Sequence, residues 1–447
     1  MAIKARTISG QVNEAARGDG GGRAPLPALL RSFWLWSVVA FGLTLGVAWV
    51  EYRAGISRYN WDPLSDSLFG DLMEYPGTYQ WLHTAVFFFN VTARPVPYPL
   101  YSPVAYPPFA AMVLAGLYSA ASPVLRYLEL AAVWLAVAVC GVRRALMRVG
   151  VGSVTATLFP LTMVAISFPI LRLVHEGNVE LALWILTATG VWAYLKDSRG
   201  GDDAAALLWG LAAAMKLYPA VLLILFLPRG RWRAFALGVA AFVGATVLAL
   251  WWLGPTMGVA WRGSLLNVFG YQGLRASEWS LRELAANHSA YTLAKMAAMM
   301  TGVPLARLTL PYYGFGAVAM GWAFFGRLWR MPEANQLLAV MAFMVMFPPV
   351  SYFHTLVHLY APLVVLLLVA IRAERAGVVV RGLKGTVLLF VPLFAAFTLF
   401  LFPRVFIFDG LVQAALLVAL FGCAMRYPFA VGEAEAVANM PQTGGVS

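Results

Sequence analysis

Charge is scarce in this sequence. Only 12% of its 447 residues are Asp, Glu, Lys or Arg, while 61% are hydrophobic. Soluble chains carry about a quarter charged residues, so this composition cannot dress a water-wetted surface. Cysteine is scarcer still. Cys140 and Cys423 both lie in apolar segments, and no disulfide framework, metal cluster or redox pair is indicated. Acidic residues are the minority sign, 20 against 32 Lys and Arg, for a formal net charge of +12. In a soluble chain that excess would point to nucleic acid; in an apolar one it reports cytoplasmic loops. A soluble enzyme, a nucleic-acid-binding module and a secreted domain are excluded.

What the chain has in abundance is apolar runs of about 17–25 residues, each long enough to cross a bilayer core of roughly 30 Å. The expected class is all-α, a polytopic membrane helical bundle. Residues 1–32, Gly-rich and basic, and residues 427–447, small and polar, read as disordered cytoplasmic tails. One membrane domain fills 33–426, with long outer loops at 51–123 and 255–308. The run from Phe33 to Val50 has no clear cleavage site and is expected to be an anchor.

Orientation follows from where Lys and Arg gather. Arg143, Arg144 and Arg148 belong inside, so the short apolar stretch 107–122, opened by Pro107-Pro108, is expected to lie at the outer interface and not to cross. The stretch 204–227 is followed by the basic RGRWR. It is expected to form two short helices meeting near Met215-Lys216-Leu217-Tyr218-Pro219, because Pro219 breaks the helical ladder. Irregular backbone at that depth needs protein or a wet cavity around it. With later spans at 233–253, 309–327, 335–350, 355–371, 385–402 and 405–425, about twelve transmembrane helices are expected. No internal repeat is evident.

Ionisable groups in lipid are costly, and those present usually mark function or face a cavity. Here the unusual ones all fall on the outer side. Asp71 stands in SLFGDLMEYPGTY, with Asp62, Asp66 and Glu74 nearby. A carboxylate at the membrane surface is placed to take a proton from an attacking hydroxyl; a solvated loop acid is the plainer alternative. Tyr101 and Tyr106, in YSPVAYPPF, suit stacking on a sugar, yet tyrosine at an interface is ordinary. His175, Glu176, Asn178 and Glu180 crowd with Arg172 into LRLVHEGNVELALW. Glu176 and Glu180 share a face if the helix begins early enough.

Lys216 is the single charge between Asp203 and Arg229. It needs an anionic partner, a wet cavity or a snorkelling path. A lipid phosphate suits a compact ammonium; a structural ion pair is the alternative. Tyr218 accompanies it. Asn287, His288 and Ser289 suit sugar hydroxyls or merely cap the helix that follows. Tyr352, His354 and His358 stand at the head of a late span. The His spacing can serve a metal, but no third ligand accompanies it, and hydrogen bonding to a phosphate or hydroxyl fits better. No metal and no cofactor are expected.

In order, these pieces resemble the integral-membrane, polyprenyl-phosphate-sugar-dependent glycosyltransferases of glycosyltransferase family 87. The resemblance rests on Asp71-Leu72-Met73-Glu74-Tyr75, Tyr106-Pro107-Pro108, Gly177-Asn178-Val179-Glu180, Lys216-Leu217-Tyr218-Pro219, Asn287-His288-Ser289 and Pro349-Val350-Ser351-Tyr352-Phe353-His354. It covers most of 33–425. Asn178 and Glu180 stand where Gln and Asn are commoner, His288 where Gln is, and Tyr352 where Trp is.

The resemblance implies the GT-C superfold, with its site on the outer face of the inner (plasma) membrane. It also implies a polyprenyl-phosphate-linked hexose donor, mannose first among candidates, and a lipid or glycan acceptor. Asp71 is then the catalytic base in an inverting transfer, and Lys216, with His354 or His288, steadies the leaving phosphate. Tyr106, His175, Glu176, Asn178, Glu180, Tyr218, Asn287, Ser289, Tyr352 and His358 complete the donor and acceptor contacts. The rival class is a transporter or lipid flippase, which predicts polar groups spread through the bilayer depth and not gathered at outer span ends.

Overall fold

A computed structural model describes residues 27–53, 106–118, 122–253, 256–271, 287–395 and 407–430. Asp71, Tyr101, most of the first outer loop, residues 272–286 of the second and most of both tails lie outside the described residues.

Helices α1 (Ala28–Arg53), α2 (Pro108–Tyr118), α3 (Pro123–Arg148), α4 (Ser153–Ile166), α5 (Phe168–Glu176), α6 (Glu180–Tyr194) and α7 (Arg199–Met215) lead to a first 3₁₀ segment, Tyr218–Phe226. After it come α8 (Trp232–Leu253), α9 (Met257–Tyr271), α10 (Tyr291–Thr301), α11 (Leu305–Gly326) and α12 (Glu333–Met346). Besides a three-residue 3₁₀ turn at Leu328–Arg330, a second long 3₁₀ segment, Phe353–Leu359, runs into α13 (Tyr360–Arg375), and α14 (Leu383–Leu388), α15 (Phe390–Ala395) and α16 (Ile407–Arg426) follow. Among the described residues the fold is all-helical, with no strand.

Local chemistry sets the boundaries. Ser122 caps α3 by accepting from the Leu125 N–H at 3.3 Å, with Pro123 at the first helical position. Ser167 does the same for α5 through Ile170, and Ser198 for α7 through Gly201. α7 stops at Met215 because the backbone at Lys216 turns extended, φ −146° and ψ 138°, ahead of Pro219. The break expected at Met215–Pro219 is there, with a tight 3₁₀ segment as its second half.

By length and composition, four helical stretches can cross a bilayer: Ala28–Gly46, Pro123–Arg148, Trp232–Leu253 and Phe353–Arg375. α4 and α5 make a fifth if taken together, bent by 57°. α6 has 15 residues and α12 has 14; at about 1.5 Å per residue neither spans the full core. Four to five candidate spans is therefore what the described residues support, and about twelve remains an expectation.

From Leu337 onward α12 is apolar all round, and the helix is almost wholly buried, as a central helix should be. It packs against α16, the first 3₁₀ segment and α13. α7 packs between α6 and α8. Gly210 of α7 meets the Gly238 backbone of α8 so closely that a Cβ there would collide with the carbonyl oxygen. On the outside, Leu310, Phe315, Val318 and Trp322 of α11 stand fully out from the bundle, a surface suited to lipid and not to water.

One end of the bundle is ionic. Arg229 pairs with Asp197 and Glu333, Arg231 with Asp197 and Asp202, and Arg233 with Asp203. The same end carries the Ala28 N–H on Glu374 and Arg375 on the Gly150 carbonyl. These are the helix ends that the distribution of Lys and Arg assigns to one side. The residues singled out for chemistry lie at the opposite ends of α5, α6 and α7.

Candidate functional site

Two short stretches of chain face each other: the corner between α5 and α6, and the second 3₁₀ segment. Gly177 makes the corner. Its φ of +65° is left-handed, which glycine adopts without a Cβ clash. The Asn178 N–H returns to the Leu173 carbonyl at 3.4 Å, closing α5. The Asn178 side chain then accepts the Glu180 N–H at 2.8 Å and starts α6. Glu176 is thus the last residue of one helix and Glu180 the first of the next. They do not share a helical face, because the turn at Gly177 separates them.

Each carboxylate divides its oxygens between a cation and an imidazole. Glu176 takes Arg172 at 2.5 Å and His354 Nδ1 at 2.6 Å. Glu180 takes Lys216 at 2.5 Å and His358 Nε2 at 2.7 Å. Glu180 and His358 are fully buried, while the Arg172 and Lys216 side chains keep 22% and 20% of their surface. The Glu180 triad therefore has a closed, hydrogen-bonded interior and one cation at its open edge, whereas Glu176 keeps 20% of its own surface beside Arg172. The His pair sits on a 3₁₀ segment, where residues four apart are rotated by about 120°. Each histidine accordingly meets its own carboxylate and not the other histidine. Among the described residues, no group of three His, Cys, Asp or Glu is arranged to hold a metal ion.

Aromatic and hydroxyl groups finish the Glu180 triad. Lys216 Nζ lies 5.5 Å from the Tyr106 ring, within cation–π range. The Tyr218 hydroxyl is 3.4 Å from His358 Nε2, and Thr187 Oγ1 is 2.9 Å from His358 Nδ1. The Tyr352 ring stands edge-on to His354 at 6.1 Å. His175 lies on α5 beside Glu176, partly buried.

Asn287, His288 and Ser289 form a different structure, a clamp on the turn before the second 3₁₀ segment. Asn287 donates to the Pro349 carbonyl at 3.1 Å and accepts from the Ser289 and Ser351 N–H groups at 3.0 Å. Ser289 accepts from the Tyr291 N–H at the start of α10 and donates to the Pro348 carbonyl. His288 is fully buried, with Nε2 at 3.0 Å from Ser351 Oγ and 3.2 Å from Thr355 Oγ1. The Ser351 hydroxyl also reaches the Val345 carbonyl at 2.6 Å and Thr355 Oγ1 at 2.8 Å, and Thr355 reaches the Tyr352 carbonyl at 2.8 Å. Burial foremost, with His354 adding to it, pushes the imidazole down to about 3, so this loop histidine is neutral.

The stretch 104–349, more than half of the chain, matches the family profile of glycosyltransferase family 87. The chain belongs to that family. No curated protein and no solved structure gives a match. Family 87 membership and the apolar helices make this protein a membrane glycosyltransferase. The matched stretch contains Tyr106, Glu176, Glu180, Lys216 and the 287–289 clamp, and it ends at Pro349, just before the two histidines that close the triads.

Sequence reasoning missed three members. Thr187 carries a signal: it is seven positions after Glu180, on the same face of α6. Arg172 was visible as a charge but not as the partner of Glu176. Gln413, fully buried on α16, has no sequence signal beyond being polar in an apolar helix.

Proposed function

We propose that this family 87 enzyme moves a hexose, mannose first among candidates, from a polyprenyl-phosphate-sugar to a lipid or glycan hydroxyl, with inversion at the anomeric carbon. The observation that carries the reading is the placement of Lys216 and Arg172: two partly exposed cations, Lys216 beside the Tyr106 ring, at the bundle end opposite the basic one. That placement suits an anionic leaving group anchored in the outer leaflet of the inner membrane, with the basic end in the cytoplasm.

In this reading Asp71 takes the proton from the acceptor hydroxyl. The new bond to the anomeric carbon forms as the bond to the phosphate oxygen breaks, and the phosphate leaves with the electron pair. Lys216, held at the edge of its triad, meets the charge that develops, assisted by His354 of the Glu176 triad. The 287–289 clamp acts by holding the turn that carries both histidines.

Transfer of radiolabelled sugar from polyprenyl-phosphate donors by purified protein in liposomes, wild type against Asp71→Asn, tests this. Labelled product in wild type, cut by about 10²-fold or more in the variant at equal expression, is the expected result. Transfer that survives the substitution removes Asp71 as base. Movement of the intact donor across the liposome membrane without transfer would make the protein a flippase instead.

A further inference from the structure

The linked groups Thr187, His358, Glu180 and Lys216 accept two arrangements of protons on one arrangement of heavy atoms. Glu180 is an acceptor only, so His358 Nε2 bears a proton and donates to it at 2.7 Å. The other ring nitrogen faces Thr187 Oγ1 at 2.9 Å, and that hydroxyl has a second acceptor in the Trp184 carbonyl at 3.2 Å. With the hydroxyl turned to Nδ1, the imidazole is neutral. With the hydroxyl turned to Trp184, its oxygen accepts from a protonated Nδ1. Both states are fully hydrogen-bonded.

Charge decides between them. Around His358 stand Glu180 from α6, Lys216 from the end of α7, Tyr218 from the first 3₁₀ segment and His354 from its own element. Beyond them lie Glu176 and Arg172 from α5. Glu180 is balanced by Lys216 and Glu176 by Arg172, so an imidazolium would add an uncompensated buried charge. Lys216 is the member of the set with an exposed edge. A ligand anion that draws it away strips a fully buried carboxylate of its cation, and the replacement within reach is a proton on His358.

We propose that Lys216 exchanges Glu180 for the phosphate diester of the sugar donor, and that His358 takes up one proton from water in the same step, so that donor binding is proton-coupled. This rests on the donor reading above. The charges balance: the ammonium meets the diester monoanion, the imidazolium keeps Glu180, and the Thr187 hydroxyl turns to the Trp184 carbonyl. His358 and Thr187 are positioning residues in this exchange.

Farnesyl methyl phosphate is a suitable probe, because its single charge does not titrate in the neutral range. Isothermal titration of the full chain in nanodiscs, in buffers of different ionisation enthalpy, reads the protons taken up per probe bound. Wild type is expected to take up about one, with affinity rising by up to about tenfold per pH unit as pH falls. His358→Gln keeps a donor for Glu180 and is expected to take up none. Glu180→Gln frees Lys216 from its rival, and is expected to bind at least as tightly with no uptake.

Binding by wild type without uptake, or equal uptake by His358→Gln, overturns the coupling and leaves the donor reading standing. No binding by folded wild type, checked by circular dichroism, overturns both. The same titration with dihexanoyl phosphatidylglycerol reads the other source of the same chemistry. Uptake there as well supports the exchange and makes an ordinary phospholipid a second ligand.

Discussion

Lys216 reaches Glu180 at 2.5 Å although 36 positions separate them, because each stands at an interrupted helix. Lys216 is the extended residue where α7 stops, and Glu180 is the first residue after the glycine corner. Removing the lysine leaves a fully buried carboxylate with only an imidazole. Lys216→Met is expected to cost about 3 kcal/mol, and Glu180→Gln with Lys216→Met to recover most of it. Thermal unfolding of the single and double variants in one detergent checks the sign of the coupling.

His288 carries an acid-sensitive share of the stability. Its folded value of about 3 lies below the ordinary 6.5 of an unfolded histidine, so below 6.5 the unfolded chain binds the extra proton. The stabilisation is complete above 6.5 and is lost as pH falls toward 3, at about 1.4 kcal/mol per pH unit. His288→Gln is expected to flatten that part of the stability profile between pH 6.5 and 4, read by denaturation at several pH values. An unchanged slope would mean that another group accounts for it.

Gly210 is required by the close approach of α7 to α8. An added Cβ would meet the Gly238 carbonyl and, at 2.8 Å, the Ala241 Cβ, and backbone cannot step aside. Gly210→Val is expected to lose about 2 kcal/mol or more. Gly244→Ala, on α8 with nothing within 4 Å, is expected to gain about 0.5–1 kcal/mol from helix propensity. Melting temperatures of the pair, moving in opposite directions, make the comparison.

Asn335 ties the central helix to the end of α16. Its amide donates to the Ala424 and Tyr427 carbonyls at 2.8 and 2.6 Å and accepts from the Phe429 N–H at 2.8 Å. Asn335→Leu leaves three buried backbone groups without these bonds and is expected to cost about 2 kcal/mol. Proteolysis near residues 424–430 of the variant should rise first, since that is the segment released.

Much of this fold was legible before any coordinates. Composition alone demanded a helical membrane protein, because period and length of apolar runs are local properties. Pro219 placed the break beside Lys216 for the same reason: a missing N–H and a ring clash act on the nearest turn. The family was legible from its motifs as a series in order, and the match over 104–349 shows that family.

What the sequence could not determine is who pairs with whom. Glu180 and Lys216, or Glu176 and His354 at 178 positions' separation, carry no mark of each other, since a salt bridge depends on where helix ends meet. The corner at Gly177 and the 3₁₀ turn at Phe353–Leu359 overrode the helical spacing that made Glu176 with Glu180, and His354 with His358, look like same-face pairs. Local chemistry therefore determined the class, the breaks and the cast of polar residues. Tertiary packing decided that Lys216 pairs with Glu180, that two carboxylates each hold a cation and a histidine, and that Asn287 to Ser289 grip a turn, because those outcomes depend on contacts between segments far apart in the chain.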